Sequence, residues 1–480
     1  MTDSKKKALK SIDDIAGIIT ELSDNIFDHP ETGYTEKISA QLQIDVLKKL
    51  GFTVTEKLAG IPTAFSGRYG NGKPVIGILG EFDALSGLSQ EPGCAKQKAI
   101  VEGGNGHGCG HNLLGSASIA AAYAVKKYID ENGCSGTVIY YGCPAEEGGS
   151  GKGFMARDGV FDELDCAVTW HPGDTNSVSP GSSLANIVVR YHFSGVSAHA
   201  AGAPHLGRSA LDAVTLMNTG VQFLREHVIQ EARIHYAVTN TGGISPNVVQ
   251  AEAEVLYMIR APKINQVNEI YARVNDIAKG AALMTGTKMK STFVKATSDL
   301  QPNRVIAELL QKNLEENTPP KATKEELAFA EELRKTFPVT GTSMKRYLSR
   351  LPEETAAKLR KHLDDAICDY VLPLINDETA MPGSTDVGDV SQVCPTAQIS
   401  AATQVLDTPG HSWQLTAQGK SSRAHKSELY AGKVMAGTVI DLFNDAALVK
   451  AAKDEYDRRR DGVPFVSPIP KKTKPPVPGK

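Results

Sequence analysis

"GTVIYYGCPAEEGGSGKGFMARDGVFDELDCAVTWHPGD", residues 136–174, decides the fold. "GTVIYYGC" is a short apolar run rich in β-formers, which reads as a buried strand running into a loop. "GKGFMARDGVFDEL" reads as a short helix, and "DCAVTWHPGD" as a second apolar strand with its own loop. Upstream, "SASIAAAYAVKKYIDENG" is a strong helix stopped by Gly133, and "VIGILGEFDAL" is a further apolar strand. Alternating strands and helices predict an α/β domain with mostly parallel pairing. Ligands in such sheets gather beyond the carboxyl ends of the strands. Asp83, Glu146–Glu147 and His171 all fall at such ends.

Toward the N-terminus, a helix is expected from about Ser11 through "IITELSD", then a second over "KISAQLQIDVLKKLG" with Gly51 as its stop. "TAFSGRYGNGKPVIGILGEFDAL" reads as two strands joined by a "GNGK" turn. That turn lacks the spacing and the Ser/Thr of a phosphate loop, so it reads as a hairpin. From about Leu184 the texture changes. The order β-α-β-β-α-β through residue 300 predicts a ferredoxin-like α+β unit inserted into the first domain. The expected division is a catalytic domain, 1–183 and 301–480, with a lid or dimerisation domain over 184–300. Within the former, 312–377 reads as a charged helical insertion. "GSTDVGDVSQVCPTAQISAAT" then returns to strand chemistry, and "HKSELYAGKVMAGTVIDLF" is the last strong helix. The basic, proline-rich end, 468–480, reads as a flexible tail.

Composition narrows the function classes. Fifty-two Lys and Arg against 55 Asp and Glu in 480 residues leave a net charge of −3. No bulk field favours nucleic acid or a membrane surface, so neither is expected as a partner, and a small-molecule substrate is. No signal peptide or spanning run is evident. Seven scattered cysteines argue against a disulfide framework and for a reducing, cytoplasmic setting.

The chemistry-bearing stretch is "GNGHGCGHNLLG", 104–115. Cys109 and His111 sit two apart on a glycine loop, and thiolate and imidazole both suit a borderline cation. A bland surface loop is the competing reading, and His107 reads as a neighbour. Adjacent carboxylates at Glu146 and Glu147 are either a solvated loop or a divided pair. In the second case one binds metal and the other takes a proton from water. His171 in "TWHPG" repeats the strand-end position.

"GHGCGHNLLG", "PAEEGGSGKGFM" and "HPG", in this order and spacing, resemble the M20 metallopeptidase family in its amidohydrolase branch. "GVSAHAAGAPHLGRSALDAV" and "GGISPNVVQAEAEVLYMIR" carry further family marks, and the similarity runs over nearly the whole chain. The resemblance implies two divalent ions, Mn²⁺ or Zn²⁺. Their ligands would be Cys109, His111, Glu147, His171 and His411, with His425 the alternative to His411. It implies Glu146 as general base and His199 as a lid histidine reaching a neighbouring protomer's site to steady the oxyanion. Asn247 and Arg260 would hold the substrate carboxylate. The implied reaction is amide hydrolysis of p-aminobenzoyl-glutamate. The rivals are a dipeptide, another N-acyl-amino acid, or a non-catalytic chain paired with an active one. A homodimer or a hetero-oligomer with a related chain is expected. Two departures stand out. Asn112 replaces the branch's acid after C-G-H, implying one carboxylate fewer near the metals. "GEFDAL" lacks the wider family's histidine, so Asp83 is expected to support a ligand rather than bind metal.

Overall fold

In the computed structural model, which describes residues 1–478, eleven strands form two sheets. They are β1 (Thr53–Glu56), β2 (Phe65–Asn71), β3 (Val75–Glu81), β4 (Gly136–Cys143), β5 (Cys166–Gly173) and β6 (Ser177–Ser179). β7 (Ala185–Ser194), β8 (Arg233–Asn240), β9 (Glu252–Ala261), β10 (Lys288–Thr297) and β11 (Thr396–Ala402) follow. The large sheet has the order β1-β2-β4-β3-β5-β11-β6. Its four middle strands pair in parallel, and the flanking strands are antiparallel. Every residue of β3 and β4 is buried, as continuous apolar runs at the centre of a helix-covered sheet must be.

The "GNGK" turn is a correction to the hairpin expectation. β2 and β3 do not pair, because β4 lies between them and bonds both. The wholly apolar β3 belongs at the sheet centre, whereas β2 carries exposed residues at its end. The N-terminal helix is also longer than expected and broken. Helices Asp3–Asp14 and Ala16–Asp28 meet at Ile15, and Ile12, Ile19, Leu22 and Ile26 bury one stripe against the core.

Behind the sheet, helix His111–Asn132 packs along helix Ser422–Asn444. Small residues allow the close approach: a Cβ at Gly432 would meet Ala117 O at 3.2 Å. Trp170, 1% exposed, donates from Nε1 to Leu114 O at 3.0 Å and ties β5 to the first of these helices. Burying that ring contributes about 2–3 kcal/mol.

The smaller sheet has the order β10-β7-β9-β8, antiparallel throughout. Ile187, Val189, Tyr191 and Phe193 of β7 point into one core with helices Ala210–Leu224 and Ile264–Thr285. Asn186 and Val188 alternate onto the opposite face. The strand–helix order is the ferredoxin-like one. A single apolar cluster joins Leu79 of β3 and Phe154 to Val189 and Val255, so this unit packs continuously onto the larger one.

Between β10 and β11 the chain is helical, with Arg304–Glu316, Lys324–Arg334, Thr342–Leu348 and Glu353–Leu359. The first runs through position 312 and buries Ile306, Leu309, Leu310 and Leu314 in the main core. The added helices therefore begin after it. The chain end is not free: Ile469 is 1% exposed, and Arg157 Nη1 donates to Thr473 O at 2.6 Å. Alternating prolines cannot build a core, yet they lie extended on one. Positions 479 and 480 of the expected tail fall outside the described residues.

Candidate metal centre

Three strand ends and one helix start converge at the carboxyl edge of the large sheet. β3 ends at Glu81 and is followed by Asp83; β4 ends at Cys143, two residues before a sharp turn. Ala145 takes φ 61° there and starts the single-turn helix Glu146–Gly149. Gly110, at φ 78°, caps the helix that begins at His111, and a Cβ on it would meet Pro172 Cβ at 2.8 Å. That glycine is required for the loop to approach β5.

Two groups of donor atoms result, and they share one thiol. Cys109, His111 and His171 form one; Cys109, Glu147 and His411 form the other, each with its donor atoms within 4.8 Å of one another. Cys109 Sγ lies 3.4 Å from His171 Nε2, and His411 Nε2 lies 3.4 Å from Glu147 Oε2. Both buried imidazoles are oriented from behind. His111 Nδ1 donates to Asp83 Oδ1 at 3.0 Å, and His171 Nδ1 donates to Pro172 O at 2.7 Å. Each Nε2 is thereby left as a lone pair facing the cluster. His111 Nε2 makes no well-aligned hydrogen bond but lies 3.2 Å from Glu81 Oε2, and Glu147 Oε1 is buried without a hydrogen-bond partner; both fit a site for a cation. One thiol, three imidazoles and a carboxylate suit Zn²⁺ or Mn²⁺. With no cation beside it, burial pushes the Cys109 thiol up to about 12; a bound cation reverses that.

Asp83 supports rather than completes these groups, accepting also from Glu147 N at 3.0 Å. Glu81, His111 and Glu146 make a third donor group on the buried side. Glu81 and Asp386 hold the wholly buried Lys152, with Nζ at 2.6 Å and 2.5 Å from their carboxylates. Burial, then the charges of Glu81 and Asp386, raise the Glu146 carboxyl well above the usual range. A carboxyl so placed holds protons readily.

Six of the nine expected site residues are thus brought together: Cys109, His111, Glu146, Glu147, His171 and His411. Arg260 stands at the edge, its Nη1 donating to Ser384 Oγ at 3.3 Å beside the cavity. His199 and Asn247 are not there. They share an exposed loop cluster of the small unit, where Asn247 O accepts from Ala200 N at 3.0 Å. His425 Nε2 pairs instead with Asp24 Oδ1 at 2.9 Å. His107 bonds Ile26 O, and burial lowers it to about 4. Asn112 turns away from the donors and donates to Ser23 O and Gly419 O at 3.3 and 3.1 Å. Its missing charge is therefore not taken from the cluster, which Glu81 and Asp83 already supply.

Glu81, Lys152 and Asp386 lie outside the expected set. A carboxylate ending a wholly apolar strand is the available signal for Glu81; Asp386 lies 234 positions from Lys152, with nothing local to couple them. The cavity over the donors holds about 520 Å³. Glu81, Cys109, Glu146, Glu147, His171 and His411 line it on one side, and Ser343, Arg346, Tyr347 and Arg350 of the added helices on another.

Residues 77–470 match the model for peptidase family M20/M25/M40. Over 460 residues the chain is 48% identical to the B subunit of p-aminobenzoyl-glutamate hydrolase from Escherichia coli (strain K12), covering 95% of each chain. It is 28% identical over 255 residues to the A subunit of that hydrolase, covering 51% of this chain and 56% of the other. A dinuclear metal-binding peptidase of the M20 family from Bacillus subtilis has the same fold. The TM-score is 0.53 at 15% identity, over 89% of this chain and 99% of that one. With a match of that length and a relative that similar, the chain belongs to peptidase family M20/M25/M40.

Proposed function

We propose that the protein is a two-metal amidohydrolase that splits p-aminobenzoyl-glutamate into p-aminobenzoate and glutamate. The observation that carries the metal-dependent part is the pair of donor groups sharing the Cys109 thiol, with Glu146 beside them. Cys109, His111, His171, Glu147 and His411 would hold two divalent ions, Mn²⁺ or Zn²⁺, with Cys109 bridging or flanking them. The chemistry such ions supply is polarisation of the scissile carbonyl and a water of lowered pKa. Glu146 accepts the proton of the attacking water and returns it to the departing nitrogen. Asp83 and the Pro172 carbonyl keep both imidazoles turned inward. Arg260 binds a carboxylate of the substrate, where a planar guanidinium suits a bidentate partner. His199 and Asn247, remote from their own chain's cavity, act at that of a neighbouring protomer, where His199 steadies the oxyanion.

The substrate rests on the 48% identity to the Escherichia coli relative. Two relatives are the B and A subunits of one hydrolase, which supports assembly with a related chain, a homodimer being the alternative. All seven cysteines are free, in keeping with a cytoplasmic setting. No helix among the described residues is long and apolar enough to cross a membrane.

The test compares kcat/KM on p-aminobenzoyl-glutamate, N-acetyl-glutamate and dipeptides, using protein reloaded with Mn²⁺ or Zn²⁺. The aryl amide is expected to be the best substrate, and Glu146→Gln to lower kcat by about 10²–10⁴ with metal content unchanged. An aryl amide that is the poorest of the set overturns the substrate. An unaffected Glu146→Gln enzyme overturns the base.

A further inference from the structure

Among the described residues three lysines are buried, and two of them are paired. Lys5 lies 2.8 Å from Asp441, and Lys152 is held between Glu81 and Asp386. Lys295, 8% exposed on β10, has no side-chain hydrogen bond and no ion pair among the described residues. The side chain is mostly desolvated and carries its charge without a partner, and an ammonium so placed is better held with an anion beside it.

Register shows where Lys295 faces. Phe293 pairs with Val189 on the core face of the small sheet, and a bulge then lets Lys295 pair with Val188 on the opposite face. Without that extra residue, Lys295 would pair with Ile187 and point into the apolar core. Bulges re-aim side chains in this way beside active sites. Thr297, two residues on, shares the new face; it pairs with Asn186, which pairs across with Arg260. Lys295 and Arg260 therefore stand on one face, in adjacent rows. That face abuts the catalytic turn: Thr297 Oγ1 lies 2.8 Å from Ser150 Oγ, just past Glu146–Glu147. The charges around the Lys295 ammonium are Glu146, then Asp386, Arg260 and Glu147, and burial lowers its pKa.

We propose that Lys295 binds the carboxylate on the carbon next to the scissile nitrogen, and that Arg260 takes the side-chain carboxylate. Together they read a dicarboxylic amino acid. The assignment rests on the functional reading above, in which Glu146 serves the scissile nitrogen. The Glu146 charge acts first on the Lys295 ammonium, on the strand that reaches the catalytic turn through Thr297, whereas Arg260 reaches outward to Ser384, which lines the cavity. A substrate α-carboxylate supplies the anion that the fold leaves out.

The test uses metal-loaded full-length protein and three substrates: p-aminobenzoyl-glutamate, its α-carboxamide and its γ-carboxamide. In Lys295→Met, the preference in kcat/KM for the free α-carboxylate over the α-carboxamide is expected to fall about 10- to 100-fold. The preference for the free γ-carboxylate over the γ-carboxamide is expected to survive in Lys295→Met and to be lost in Arg260→Met. Calorimetry with free glutamate and its α-carboxamide gives a second readout, in which Lys295→Met loses the discrimination and Lys295→Arg recovers part of it. Because the variant removes an unpaired buried charge, its Tm is expected to equal or exceed the wild-type value. An equal fall on all three substrates, or a lowered Tm with loss of metal, overturns the proposal by making Lys295 structural. If the wild-type enzyme cleaves none of the aryl amides, the substrate reading fails. Calorimetry then decides Lys295 separately: equal binding of glutamate and its α-carboxamide by wild-type protein overturns it.

Discussion

One thiol is common to two donor groups. Cys109 belongs to both and His411 to one, so on the proposed reading each ion would depend on Cys109. His411 is exposed and held at φ 52°, with its backbone N donating to Gly108 O at 3.2 Å, next to the loop that carries Cys109. His425 is occupied by Asp24 in a partly exposed pair. On the proposed reading, His411→Ala lowers metal content from about two equivalents per chain to about one. Cys109→Ser lowers both, and His425→Ala changes neither. Metal analysis on purified variants checks this, and loss of metal from the His425 variant alone reverses the choice. These donors are legible because each lies on a glycine-punctuated loop or just past an apolar strand. Glu81, Lys152 and Asp386 are not, because a buried ion pair between distant segments leaves no local pattern. Asn112 misleads for a related reason: adjacency to His111 in sequence puts it on a helix turn that faces away.

Elements are easier to read than their neighbours in space. Short apolar runs mark β3, β4 and β5, but which strand lies beside which depends on crossovers, so the "GNGK" turn reads falsely as a hairpin. The added helices are legible as helices and silent about their role. Ser343, Arg346 and Tyr347 recur at i, i+3 and i+4 on one face of helix Thr342–Leu348, and with Arg350 in the turn that follows they line the cavity. This lining is fixed by Ser343 N donating to Asp407 Oδ1 at 2.8 Å, by Tyr347 Oη donating to Pro373 O at 2.6 Å, and by the Arg350–Asp377 pair at 2.8 Å. Arg346 has no ion pair among the described residues and is exposed. An exposed charge interaction is worth at most about 1 kcal/mol, so Arg346→Ala is expected to raise KM for p-aminobenzoyl-glutamate by up to about fivefold and leave kcat unchanged. Steady-state kinetics checks it. An unchanged KM removes the added helices from substrate contact.

At the scale of the whole molecule, the small sheet and its helices lie between the catalytic turn and open surface. One face of the sheet carries Arg260 and Lys295, and that face meets the turn after Glu146–Glu147 through Thr297 and Ser150. On the outside, β8 is an exposed edge strand, and Phe223, Ile244, Leu283 and Met284 are exposed apolar side chains, Ile244 at 99%. An unpaired strand edge is a surface on which another chain can add, which suits the assembly proposed above. His199 and Asn247 ride on the loops of this unit, away from their own chain's donors. The proposed exchange of His199 between protomers has a consequence that a single-chain site lacks. Glu146→Gln and His199→Ala are each expected to be inactive alone. In the homodimer alternative, co-refolding in equal amounts puts one of each chain in half the assemblies, and in these one of the two sites has both groups intact. Activity should return to about a quarter of the wild-type value. If each chain supplies its own His199, every site in the mixture stays defective and no activity returns.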